Sequence, residues 1–279
     1  MIVVTGSTGN VGRPLVQTLA AAGQQVTAVS RGAFAQDLPS GVIHQQADLA
    51  EPSTLKPALD GADALYLLIA GGGEGLDAGA LLDTARSAGV SRVVLQSSQG
   101  VATRPAAASH AHLREFEDAV RTSGLEWTVL RPGGFASNAF AWAGSVREQR
   151  TIAAPFGDVG LPLIDPADIA AAAAAVLTET GHSGRAYELT GPAPVSPRQQ
   201  AAAIAAALGE PVRFHELSRS EARAFMGQFM PEHVVDGTLD ILGRPTPGEQ
   251  RESPAVEQLT GRPAGTFADW AVRHAGAFA

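Results

Sequence analysis

The residues with the clearest chemical capacity are Thr5-Gly6-Ser7-Thr8-Gly9-Asn10-Val11-Gly12, which directly follow the apolar run Met1-Ile2-Val3-Val4 and directly precede an amphipathic segment. A buried strand, a tight glycine turn and a helix N-terminus in succession build an anion site, because free backbone N–H groups and the positive helix end converge there. The glycines divide the work. Gly6 permits the sharp exit from the strand, Gly9 lets the backbone approach a pyrophosphate, and Gly12 lets the helix pack closely on the strand. The spacing is G-x-x-G-x-x-G, not the G-x-G-x-x-G of the commonest dinucleotide fingerprint. The next strand, Gln25 to Ser30, ends on Arg31-Gly32, about 20 residues beyond the turn, where a site selective for NAD places an acid against the ribose 2′-hydroxyl. No acid stands there. Arg31 offers either a guanidinium fork suited to a 2′-phosphate or a solvated strand end. In Ala47-Asp48-Leu49, Asp48 either accepts from an adenine amino group or caps the helix that follows.

These residues need a scaffold, and the chain supplies a regular one. Val11, Leu15, Leu19 and Ala22 share one helical face, Pro14 is tolerable in the first turn, and Gly23 supplies the stop. Strands at 42–46, 64–70, 92–98 and 127–132 alternate with helices at 52–59, 76–88 and near 109–123. The run Ala64 to Ala70 is apolar throughout, as a parallel strand covered on both faces must be. Gly71-Gly72-Gly73 then opens a flexible loop that lacks the Lys-Ser/Thr of a Walker motif. This alternation predicts an α/β fold, a doubly wound parallel sheet (Rossmann) with right-handed crossovers. Ligands of such sheets bind beyond the carboxyl ends of the strands, at the switch point. The glycine turn, Arg31, Asp48, Ile69 with its neighbours Leu68 and Ala70, Ser97-Ser98 and Pro132 all fall at those ends, so one cleft can gather them.

Beyond Pro132 the pattern loosens. Residues 133–150 carry Phe135, Asn138, Phe140 and Trp142, and a further strand and helix run through Leu161 to Leu177. A strand at Arg185–Leu189 follows, then mostly helices from Pro197, a short strand near Val212 to His215 and a last helix around Phe267 to His274. The organisation expected is a dinucleotide-binding core over 1–132, rejoined by 151–192. A smaller, mostly helical C-terminal lobe of 133–150 and 193–279 would bind substrate.

The glycine turn, Arg31, Ala47-Asp48-Leu49, Ser97-Ser98, Ser123-Gly124-Leu125-x-Trp127-Thr128-x-x-Arg131-Pro132-x-x-Phe135-x-x-Asn138 and Ile164-Asp165-x-x-Asp168-Ile169-Ala170 together resemble the NmrA-like family of atypical short-chain dehydrogenases/reductases. The resemblance runs from Met1 to about Pro192. It implies a dinucleotide with pyrophosphate on Gly6 to Gly12, a 2′-phosphate near Arg31 and adenine near Asp48, hence NADP(H) preferred over NAD(H). Further cofactor contacts would come from Leu49, Leu68, Ile69, Ala70, Ser97, His112, Pro132 and Phe135. Phe135, Asn138, Phe140, Phe225 and Phe229 would line a substrate pocket. Relatives include NADPH-dependent reductases of quinones, dyes and flavonoid-type aromatics, and also non-enzymatic redox sensors.

One departure from the family matters. Its classical members use a Tyr-x-x-x-Lys pair to pass a proton to a carbonyl, but the only lysine here is Lys56 and the only tyrosines are Tyr66 and Tyr187. In the corresponding segment, Ser109 to Glu117, His112 stands where some relatives have lysine. It could donate that proton, hold the nicotinamide ribose, or be an exposed helix histidine. Ser98 either hydrogen-bonds a substrate oxygen or serves as the turn residue after its strand. Phe225, Met226, Phe229 and Met230 recur at helical spacing, as a core stripe or as an adaptable wall for a flat aromatic molecule.

Composition narrows the classes. A net charge of −8 without a dense basic cluster argues against direct nucleic-acid binding. The absence of cysteine excludes disulfides, thiolate nucleophiles and cysteine-ligated metals, so redox chemistry must come from a bound cofactor. No metal site is expected. No apolar run approaches the ~20 residues that span a bilayer, and a first strand starting at Met1 leaves no room for a signal peptide; a cytoplasmic protein is expected. Two functions remain. One is an NADPH-dependent reductase of a quinone or related electrophilic aromatic acceptor, which needs little acid help. The other is an NADP-binding redox sensor that reports to a protein partner.

Overall fold

The computed structural model describes residues 1–279 apart from 33–37, 70–72 and 74. Ala70 and the start of the Gly71-Gly72-Gly73 loop therefore lie outside the described residues. A seven-stranded sheet forms the centre. Its strands are β1 (Ile2–Val4), β2 (Val26–Ser30), β3 (Val42–Gln46), β4 (Ala64–Leu68), β5 (Arg92–Gln96), β6 (Glu126–Pro132) and β8 (Arg185–Leu189), in the order β3-β2-β1-β4-β5-β6-β8. Every neighbouring pair is parallel. A parallel sheet needs both faces covered, and β1 and β2 are accordingly buried along their whole length. On one face lie α1 (Gly12–Ala21), α7 (Pro166–Thr178) and α12 (Ala255–Thr260), burying Leu15, Leu19, Ile169 and Val256. On the other lie α2 (Lys56–Leu59), α3 (Ala78–Ser87) and α5 (Ala111–Thr122), burying Leu59, Leu81, Phe116 and Val120. The alanine run of α7 needs no functional reading, because small side chains let α7 lie directly against α1.

Strand order reverses at β1 and β4, so their connections leave to opposite faces and open a crevice at their carboxyl ends. Thr5 spans that opening. Its amide donates to the Tyr66 carbonyl at 3.1 Å, and its hydroxyl oxygen accepts from the Leu68 amide at 2.8 Å.

Several boundaries differ from expectation. The strand expected to reach Ser98 stops at Gln96, because Ser98 starts a short helix, α4 (Gln99–Thr103). The helix expected from Ser109 opens with a 3₁₀ turn, Ala108–His110, before α5. The strand expected near Leu161 is absent, and Leu161 makes one isolated bridge to Val195. The strand of this region is β7 (Thr151–Pro155), which pairs in parallel with β9 (Arg213–Leu217) in a separate two-stranded sheet. Of segment 151–192, α7 and β8 join the large sheet while β7 does not.

Segment 133–150 contributes α6 (Ala143–Gln149), and the C-terminal part is mostly helical: α8 (Pro197–Leu208), α9 (Arg219–Met226), α10 (Glu232–Gly243), α11 (Pro247–Gln250), α12 and α13 (Phe267–Arg273). Reciprocal capping starts α8 at Ser196/Gln199, α9 at Ser218/Glu221, α11 at Thr246/Glu249 and α13 at Thr266/Asp269. Ile152, Ile204, Phe267, Trp270 and Phe278 form its core. Two buried carboxylates clamp it to the start of α7. Asp165 accepts from the Ala167 amide and pairs with Arg273, and Asp168 accepts from the Gly265 amide and pairs with Arg262, both at 2.7 Å.

A third buried carboxylate, Glu117 of α5, fastens the ends of β5 and β6. It accepts from the Ser97 hydroxyl at 2.6 Å, from Arg131 at 2.9 and 2.5 Å and from Arg121 at 2.6 Å. Burial pushes its pKa up, but the bonds from Arg131, Ser97 and Arg121 together outweigh burial and hold it below the ordinary glutamate value. Removing one partner of such a network strands buried charges, so Glu117→Ala should cost about 3–5 kcal/mol in urea unfolding. Because the folded-state pKa is the lower one, this stabilisation is present above the unfolded-state value, about 4.3, and is lost as pH falls through the folded value. Unfolding of the parent and variant, compared from pH 7 downward, should converge in acid.

Candidate cofactor and acceptor site

The glycine turn joins β1 to α1 at the crevice. Gly6 has a φ of +62°, which a side chain would strain. At Gly12 a Cβ would collide with the Gly6 carbonyl and stand 2.8 Å from the Ser7 Cα. Only glycine lets the helix start this close to the strand. Gly9 differs, since a Cβ there would meet only the Gly6 carbonyl oxygen, at 3.3 Å, and otherwise open space. Ser7 is buried, and its amide and hydroxyl both donate to the Val29 carbonyl, at 3.2 and 2.9 Å, which pins the turn to β2. Thr8, Gly9 and Asn10 form the exposed crest. Val11 gives α1 no side-chain cap and the first turn has no acid. Exposed amides at an uncapped, acid-free helix start fit a pyrophosphate.

On the β2 side, Arg31 is exposed beyond the strand end, and its carbonyl accepts from the Gln46 amide side chain at 2.8 Å. Asp48 is exposed, and its Oδ1 accepts from the Ala50 amide at 3.0 Å, an Asx turn two residues short of the 3₁₀ turn Pro52–Leu55. Leu49 packs on the α2–α3 face. Leu68 lies against Gly6, and Ile69 is buried beside Phe116 and Gly73.

On the other side, Ser97 is buried with its hydroxyl committed to Glu117. That leaves its backbone alone to meet a ligand. Ser98 starts α4, its hydroxyl oxygen accepting from the Gly100 amide at 3.2 Å, so its own proton remains to be donated. His112 is 43 % exposed and its Nδ1 lies 3.3 Å from Glu115 Oε2. Pro132 is buried at the end of β6, and Phe135 follows in a bridge to Ile164. Asn138 is exposed. Phe140 turns to the C-terminal part, with its ring 4.9 Å from Trp270 and 6.0 Å from Phe278. The Phe-Met stripe divides. Met226 and Met230 pack on Ala222, Val235 and Leu239, whereas Phe225 and Phe229 are 53 % and 60 % exposed and meet edge to face at 5.3 Å.

The sheet therefore brings the turn, Arg31, Asp48, Leu68, Ile69, Ser98 and Pro132 to one rim, while Phe140, in the 3₁₀ helix Ala136–Trp142, packs on the C-terminal part, to which the Phe225–Phe229 pair belongs. The pattern of types missed three residues at this rim. Gln99 is buried, lies against Gly133 and donates to the Gly248 carbonyl at 3.1 Å, joining the ends of β5 and β6 to α11. His110, not His112, rests on Gly100 beside Ser98, with its Nδ1 3.0 Å from the Ser109 hydroxyl. Burial lowers the His110 pKa, Arg114 and Arg104 add to the effect, and Glu249 opposes it. Arg13, on the first turn of α1, reaches back to the Thr8 carbonyl at 3.4 Å. A basic residue directly after the third glycine was the available signal for it.

Known proteins resemble this chain over nearly its whole length. The NAD(P)H-binding family model matches residues 6–180. The chain is 38 % identical to the (4-alkanoyl-5-oxo-2,5-dihydrofuran-3-yl)methyl phosphate reductase of Streptomyces griseus, over 100 % of this chain and 99 % of that protein. It is 35 % identical to the NAD(P)H azoreductase of Xenophilus azovorans, with the same coverage of 100 % and 99 %. The crystal structure of an NADPH-dependent quinone oxidoreductase from Escherichia coli, in complex with NADPH, superposes with a TM-score of 0.81 and 27 % identity over 98 % of this chain and 99 % of that one. The chain belongs to the NAD(P)H-binding family, in its NmrA-like branch of oxidoreductases with the atypical short-chain dehydrogenase fold.

Proposed function

We propose that this protein is an NADPH-dependent reductase that passes hydride to a quinone or related electrophilic aromatic acceptor. The observation that carries the reading is the uncapped, acid-free start of α1 under the glycine turn, with Arg31 and no carboxylate closing β2. When bound, the nicotinamide cofactor supplies the hydride. The turn amides hold its pyrophosphate, Arg31 its 2′-phosphate, and Asp48, through the carboxylate oxygen left over from its Asx turn, the adenine amino group. Ser98 hydrogen-bonds the acceptor oxygen through its free hydroxyl, and Phe225 with Phe229 offers an apolar wall for a flat ring. A cytoplasmic location, where NADPH is supplied, goes with this reading.

The acceptor class follows from what the tyrosines do. Tyr66 is fully buried, donates to Gln96 Oε1 at 2.5 Å, and has its pKa raised by burial. The Tyr187 hydroxyl is paired with His182 Nδ1 at 2.9 Å, and Lys56 is exposed on α2. No lysine-activated tyrosine can protonate a ketone. A quinone accepts hydride without that help.

A charge-assisted contact is worth roughly 1.5–3 kcal/mol, so NADPH should bind about tenfold or more tightly than NADH, and Arg31→Ala should weaken NADPH by about tenfold in a binding titration while leaving NADH unchanged. Equal affinities in the parent would defeat the assignment of NADP. Gly9→Ala should still fold, because its Cβ meets only the Gly6 carbonyl oxygen, at 3.3 Å, which a shift of a few tenths of an ångström relieves, yet weaken both cofactors alike by obstructing the pyrophosphate. A folded variant with normal binding would show that the turn is purely structural.

The chemistry is tested by NADPH oxidation against a panel of quinones and simple ketones. A positioned general acid contributes about a hundred- to ten-thousand-fold, and quinones should outpace ketones by a factor in that range. His112→Ala should cut turnover without changing NADPH affinity if His112 delivers the proton, and cut both if it holds the ribose. Tight NADPH binding with no oxidation by any acceptor would instead support a cofactor sensor with a protein partner.

A further inference from the structure

The geometry points to Arg13 as a second guanidinium on the 2′-phosphate, opposite Arg31, so that cofactor selectivity rests on a two-arginine clamp. This inference rests on the assignment of NADP to the glycine turn.

The location comes from three contacts. Ser7 is bonded through both its amide and its hydroxyl to Val29, two residues before Arg31, so the first half of the turn lies beside the end of β2. Asn10, on the second half, instead donates to the Ser137 hydroxyl at 3.1 Å, beyond the end of β6. Arg13 reaches back to the carbonyl of Thr8, in the first half. It is therefore on the β2 side of the turn, the side where Arg31 stands and where an adenine ribose would lie.

The electrostatics call for an anion there. The first turn of a helix repels cations, because unsatisfied N–H groups give it a positive end, and α1 has no acid in that turn to compensate. Among the described residues, neither Arg13 nor Arg31 has a carboxylate partner, whereas Arg104, Arg131, Arg223 and Arg273 are all paired. Two exposed, uncompensated guanidinium groups flank the position of a doubly charged phosphate monoester. Arginine binds such a group through a planar fork. The 2′-hydroxyl of NAD offers neither guanidinium that charge.

The test uses the intact protein and calorimetric titration with NADPH, NADH, adenosine 2′,5′-bisphosphate and ADP, the last two isolating the 2′-phosphate from the nicotinamide. Arg13→Ala should weaken NADPH and the bisphosphate about tenfold, the size of one charge-assisted contact, and leave NADH and ADP within about twofold. The double variant with Arg31→Ala should lose more than either single one. Arg13→Lys should recover part of the loss. Equal weakening of all four ligands would move Arg13 to the pyrophosphate and overturn the inference, as would no change in any. A parent that does not prefer NADPH defeats the NADP assignment itself. A preference that depends on Arg31 and not on Arg13 defeats only this inference. An unchanged urea midpoint for the variant separates lost contact from lost fold.

Discussion

The structure depends on one close approach, that of the first residue of α1 to the carbonyl of Gly6. Gly12 can have no side chain there, and its absence brings the helix start onto the end of β1. Everything at the rim follows from that contact. Ser7 can bond back to β2, and Asn10 can reach forward to Ser137. A methyl group at Gly12 would separate helix from strand and disperse the amides.

The second half of the site is held by polar bonds instead of apolar packing. Gln99 joins the ends of β5 and β6 to α11, and the next turn is locked by Arg104, whose Nε and Nη2 reach the two carboxylate oxygens of the buried Glu249 at 2.6 and 2.9 Å. Burial pushes the Glu249 pKa up, but Arg104, the Thr246 amide and Thr103 together bring it below its ordinary value, so the pair stays ionised. Such a pair contributes more to placement than to net stability. Ser98 directly precedes the first of these locks, and His110 rests on Gly100, between the two. The helices above them, α9 and α10, belong to a small cluster of their own around Ala222, Val235 and Leu239.

Among the ionisable groups, the tyrosines are removed from proton transfer by burial or by a histidine partner, and the histidines occupy two environments on one short segment. His112 is open to water and bonded to an exposed glutamate. His110 is half-buried, and its pKa is lowered, so it is mostly neutral at physiological pH and suited to hydrogen bonding. The two are only two residues apart in the chain, yet only His110 touches the Ser98 turn, at Gly100.

What the sequence by itself determined was local. The glycine triplet, the apolar strands and the alternation of strand and helix are short-range signals, and they specified the parallel sheet, the crevice and the residues at its strand ends, but not Gln99, His110 or Arg13. The strand ends could be ordered because right-handed crossovers leave few alternatives. Tertiary structure decided the rest. Thr151–Pro155 is a strand only because Arg213–Leu217, some sixty residues away, pairs with it, and its five residues have no periodicity of their own. The Phe-Met stripe divides into packed methionines and exposed phenylalanines because α10 covers one side of α9. Ser97 and Ser98 are identical neighbours in the chain, but Glu117 takes one hydroxyl and leaves the other free. Those outcomes depend on which distant group fills the space beside a residue, and spacing along one segment has no access to that.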